Sequence, residues 1–152
     1  MQIETLRDVL HWTRKFHQRL YHCFQHCVDE DENERARLLL AYLAEHENKL
    51  IRVLDGFEKT ASSRALNTWC YEYVDRHPIL RHKNCDSPFE NMSTSEITAE
   101  VAHLHQEVIN LYRYLNDRAE SLSAQDLLKS LKEVEENESM LMVKNAINLE
   151  DI

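Results

Sequence analysis

Residues that break regular backbone are scarce in this sequence. Its 152 residues include one glycine, Gly56, and two prolines, Pro78 and Pro88. Sheets need turns that draw on such residues, so their scarcity leaves little room for strands and favours long uninterrupted helices. The single glycine also excludes a glycine-rich phosphate loop. No run approaches eighteen consecutive apolar residues, which excludes a membrane-spanning helix. Residues 1–5, MQIET, lack a basic stretch leading into an apolar run, so no secretion signal is expected.

Positive charge is also in deficit: 18 Lys and Arg stand against 27 Asp and Glu, for a net charge of −9. Phosphate backbones and anionic membrane surfaces both require a cationic face, so neither is an expected partner. The four cysteines, Cys23, Cys27, Cys70 and Cys85, are expected as reduced thiols of a cytoplasmic protein. At this length one domain, residues 1–152, is the natural count.

What the sequence has in quantity is helical periodicity. Residues 3–28 carry Leu6, Leu10, Thr13, Phe16, Leu20, Phe24 and Cys27 on one stripe. After a short polar joint, with Asp31 and Glu34 marking a helix start, residues 32–60 place Ala36, Leu39, Leu43, Leu50, Leu54 and Phe57 together. Ser93 with Glu96 reads as a capping box that opens a third helix, ending near Glu120 and striped by Ile97, Leu104, Val108, Leu111 and Leu115. Ser123 with Asp126 opens the fourth, lined by Ala124, Leu127, Leu128, Leu131, Val134, Met142, Ala146 and Leu149.

Matched lengths and short joints predict two antiparallel hairpins, hence an all-α four-helix bundle. Residues 61–93 form a long crossover able to start the second hairpin at the opposite end. Its first part, residues 63–76, predicts a short extra helix with Trp69, Tyr71 and Tyr73 as its hydrophobic foot; residues 77–92 read as an irregular strap.

A few polar residues fall on the apolar stripes. They are His17 on the first helix, His46 and Glu47 on the second, Glu100, His103 and Glu107 on the third, and Glu135 and Glu138 on the fourth. Counted from the joints, His17, Glu47, Glu107, Glu135 and Glu138 fall near mid-bundle, within about two helical turns of one another. Glu100, His103 and His46 sit nearer the stripe edges. Buried carboxylates need compensation. Metal, shared protons or ion pairs could each provide it, and no Lys or Arg falls in the layer.

Two helical hairpins with mid-helix Glu and His turned inward resemble the ferritin-like superfamily, including its rubrerythrin-type members. That resemblance implies bound iron, two ions held by one Glu from each of two helices and a Glu-x-x-His from each of the other two. It also implies oxygen- or peroxide-linked redox chemistry or metal handling. Carried across, Glu47, Glu107 and Glu135 are the ligands and Glu138 replaces a His, with His17 or His46 as nitrogen donors. The pattern departs where His17 stands for a Glu and Leu50 follows Glu47. The literal Glu-x-x-His, Glu100 to His103, lies about a turn off the layer. One metal, two or a lost site are compatible with these departures. A hemerythrin-like site finds only His103 with Glu107 at its spacing.

Three further groupings carry less. His22 and His26 point away from the core while Cys23 and Cys27 point toward it, so the four cannot easily share an ion. His77, His82 and Cys85 could gather a zinc. Met140, Val143 and Ile147 form a second apolar stripe, expected to dock the crossover or pair two copies in a homodimer. The rival to the metal reading is a metal-free helical scaffold or interaction module.

Overall fold

The structure is a computed structural model that describes residues 3–70 and 89–150. Among these residues it is all-helical: α1 Leu6–Glu30, α2 Glu34–Thr60, α3 Ser63–Leu66, α4 Thr94–Arg118 and α5 Leu122–Glu150. No helix among them is long and apolar enough to cross a membrane.

Caps set the boundaries. Thr5 closes a capping box with Asp8 at the start of α1, and Ser93 closes the expected one with Glu96 on α4. Two starts differ from expectation. Asn33, not Asp31, caps α2 by accepting from the Arg35 and Ala36 amides, while Asp31 ends α1. The fourth long helix begins earlier than Ser123, because the Ser121 hydroxyl accepts from the Ala124 amide at 3.2 Å.

The four long helices have 25, 27, 25 and 29 residues. Helix α1 runs antiparallel to α2: Arg14 reaches Asp55 and Glu58, while His17, further along, reaches back to Glu47. Helix α5 packs antiparallel on α2, with His46 meeting Glu138 and Tyr42 meeting Asn145. The start of α2, the start of α4 and the end of α5 come together around Leu39, Thr94 and Ala146. The end of α1 is on the same side, where the Phe24 and Phe89 rings meet at a tilt with centroids 5.1 Å apart. The chain therefore leaves α2 at one end of the helices and starts α4 at the other.

The extra helix is shorter than expected. It stops at Leu66, and the chain then pairs with the run into α1 through Leu6 N–Thr68 O and Cys70 N–Glu4 O bonds of 3.0 and 2.7 Å. That pairing holds residues 68–70 extended and ends the helix. Trp69 is 57% exposed, so it is no hydrophobic foot; Leu66 and Cys70 are buried instead. Tyr71, Tyr73, His77, His82 and Cys85 lie outside the described residues. Cys27 and Cys70 are free thiols, whereas Cys23 is disulfide-bonded, against the expectation of four reduced thiols.

The core keeps the expected faces of α1, α2 and most of α5. Helix α4 is rotated. Its buried face is Ile97, Val101, His105, Val108, Ile109, Tyr112 and Leu115, with Leu104 and Leu111 only half-buried at its flank. Two apolar stripes compete on this helix. The winning one buries Val101, Ile109 and Tyr112, and it also turns His105 toward Glu47. Glu100 and Glu107 each precede a buried valine by one residue, about 100° around the helix, and so fall outside the core.

Candidate metal centre

Each long helix sends a His or Glu fully into the middle of the core: His17 from α1, Glu47 from α2, His105 from α4 and Glu135 from α5. All four are 0% exposed. Each sits on its helix's apolar face, flanked one turn away by Thr13 and Leu20, Leu43 and Leu50, Val101 and Val108, and Leu131 and Glu138.

Glu47 is the hub. Its Oε2 lies 2.6 Å from His17 Nδ1 and its Oε1 lies 2.5 Å from His105 Nε2. An ionised carboxylate only accepts, so both contacts are N–H donations from the rings. His17 Nε2 contacts Glu135 Oε1 on its other side. The two imidazoles meet edge to face with centroids 5.3 Å apart. Within these four side chains, His105 Nδ1 and Glu135 Oε2 are buried without a hydrogen-bond partner, as are the Tyr112 hydroxyl and Glu107 Oε2 elsewhere in the described residues. One donor atom from each of His17, His105 and Glu135 lies within 4.8 Å of the others.

The electrostatics follow from burial and pairing. Burial opposes the charge on His17, but Glu135 and Glu47 outweigh it and raise the ring from 6.5 to about 10. Burial likewise opposes the charge on Glu47, and His105 and His17 outweigh it, lowering the carboxyl from 4.5 to about 2. Among the described residues no lysine or arginine is buried, so the raised ring of His17 is the cation at hand. Tyr112, fully buried beside Thr13, is pushed well above its ordinary value by burial first and the charge of Glu135 second. It stays a neutral phenol at the edge of the cluster.

The other expected site residues divide into two groups. His46 and Glu138 pair at 3.0 Å in the α2–α5 seam, with Lys49 3.1 Å from the second Glu138 oxygen. They adjoin the centre without joining it. Glu107 pairs at 3.0 Å with His103, whose side chain is 63% exposed, and Glu100 is half-buried on the same flank of α4. The α4 rotation takes Glu107 out of the expected layer, while Glu100 and His103 lie on the outer flank near the stripe edge where they were expected. His22 and His26 are exposed, apart from the buried Cys27.

His105 is the residue that sequence reading missed. Its signal was available: it stands four residues from Val101 and three from Val108, a spacing that fits a buried face as well as the Leu104 stripe does. No family model, no curated protein and no solved structure matches the chain.

Proposed function

We propose that the chain is a four-helix bundle of ferritin-like type that holds one divalent metal ion, iron or a similar ion, at His17, His105 and Glu135. The observation that carries the reading is the convergence of those three donors around two buried polar atoms, His105 Nδ1 and Glu135 Oε2, that have no hydrogen-bond partner. A buried polar atom left unpaired is costly, and a cation is a partner that both atoms would accept. Two imidazoles with one carboxylate suit non-haem iron(II), and manganese or zinc accept similar donors.

Glu47 has a different role in this reading. It accepts one N–H from each histidine, which fixes their tautomers and turns the other ring nitrogens, His17 Nε2 and His105 Nδ1, toward the ion. The surrounding leucines and Phe16 keep water out. An iron ion held there would supply redox chemistry toward oxygen or peroxide, or be stored or passed on. The donor set supports one ion, rather than the two that the ferritin-like resemblance implies.

Protein purified without chelator and loaded anaerobically with iron(II), manganese(II) or zinc(II) is expected to hold about one equivalent per chain. Less than about a tenth of an equivalent after loading contradicts the reading. A second reading would then stand, that of a metal-free scaffold. It is favoured by one observation: without metal, both ring nitrogens of His17 and both oxygens of Glu47 already have partners.

Met140 and Ile147 on α5 are 66% and 50% exposed, an apolar face suited to a second copy in a homodimer.

A further inference from the structure

The four residues of the centre are all at 0% exposure, so an ion that reaches them must cross a layer of packed helix. Three polar groupings approach it from outside. His11, Arg14, Asp55 and Glu58 are tied to one another nearer the start of α1. His103 and Glu107 pair on the outer flank of α4; Glu107 stands about 200° around the helix from His105 and faces away.

The third grouping differs. His46 is the neighbour of Glu47 in α2, and Glu138 follows Glu135 by one turn of α5. Their side chains are 16% and 10% exposed, while Lys49, held to Glu138, is 58% exposed. A polar column therefore runs from solvent through Lys49, then His46 with Glu138, to Glu47 with Glu135. Its outer end opens on a depression lined by Glu45, His46, Asn48, Lys49, Arg52 and Val53.

We propose that His46 and Glu138 form the port through which a divalent cation reaches the buried centre, with Lys49 as its latch. The inference rests on the metal reading above. An ion crossing bare leucines would lose its hydration with nothing in return. At the port it exchanges water for a Glu138 oxygen and a His46 nitrogen, both ligand types that such ions accept. The Lys49 ammonium holds the same carboxylate and repels the incoming charge. Being mostly in water, it can swing aside at small cost. Glu138 then stands one turn from Glu135, with Cβ atoms about 5–6 Å apart, close enough to hand the ion on.

The test is the rate of filling. Full-length, metal-stripped protein is mixed with cobalt(II) by stopped flow, and the visible absorption of bound cobalt is followed. Glu138→Gln is expected to slow uptake about tenfold or more, and to slow release to a chelator by the same factor. Equilibrium affinity and final amplitude then stay unchanged, a signature that a packing defect would not give. Lys49→Met is expected to speed both rates, at an unchanged melting temperature. Wild-type rates in Glu138→Gln and His46→Gln overturn the port while leaving the centre intact. An affinity that falls with the rate makes these residues ligands and overturns it too. Wild-type protein that takes up no cobalt removes the centre, and the port with it.

Discussion

Replacing Glu135 by glutamine is expected to abolish tight metal binding, while the same change at Glu107 leaves it untouched. Glu135 brings a carboxylate to the point where His17 and His105 each bring a ring nitrogen, and one of its oxygens is buried without a partner. Glutamine keeps the volume but removes the charge a divalent ion needs from the only carboxylate among those three donors. Glu47→Gln should have a graded effect. The amide offers one acceptor oxygen where two N–H groups need one each, so one imidazole loses its anchor. Loss of such an outer partner typically costs about 10–100-fold in affinity, and loss of Glu135 should exceed that. Glu107 is paired with His103 on the outer flank. Competition against a chromophoric chelator at neutral pH gives the three affinities. Equal losses in Glu107→Gln and Glu135→Gln would contradict the placement of the site.

The metal-stripped protein is expected to be most stable between about pH 4.5 and 6.5 and to weaken on either side. The ring of His17 is raised from 6.5 to about 10, so its stabilising contribution is complete below 6.5 and is lost as pH rises toward 10. Glu47 is lowered from 4.5 to about 2, so its contribution is complete above 4.5 and is lost as pH falls toward 2. The alkaline loss spans the wider pH interval and is the larger of the two. The acid loss reflects the same His17–Glu47 contact, so the two losses are not additive.

Metal changes the alkaline side. An ion on His17 Nε2 takes the place of the proton there, so loading at pH 7 should release about one proton per ion. The loaded protein should then keep its melting temperature from pH 7 to 10 while the stripped protein loses it. Thermal melts followed by circular dichroism across that range make the comparison. A stripped protein with a flat alkaline profile would mean that His17 is not held as a cation between its two carboxylates.

The helices were legible because composition and pattern agree. One glycine and two prolines leave few places to stop. The stripes of α1 and α2 are broad and unambiguous, and they are buried as read except for Phe57, which is half-buried. His17 and Glu47 were legible for the same reason, each interrupting a stripe that has no competitor, and Glu135 because the second stripe of its helix, Met140, Val143 and Ile147, begins beyond it. Helix α4 was harder. Leu104 and Leu111 define one face and Val101, Ile109 and Tyr112 another, a single residue's rotation apart, and periodicity alone does not choose between them. The choice is made by tertiary contact, since only the second face gives Glu47 a donor from α4. That one rotation exchanges Glu107 for His105 and turns a carboxylate-rich layer into one of two imidazoles and two carboxylates. The early end of α3 was hidden for a similar reason, because backbone pairing with residues 4–6 lies far away in sequence.

The most direct measurement is anomalous diffraction from crystals of the metal-loaded protein, collected on both sides of the metal's absorption edge. The expected result is one strong peak per chain in the middle of the helices, about 2.1 Å from His17 Nε2, His105 Nδ1 and a Glu135 oxygen, with Glu47 set back behind the two rings. A peak on His22, His26 or the His103–Glu107 pair with none at the centre would contradict it, as would loaded crystals in which His17 still bridges Glu47 and Glu135 directly.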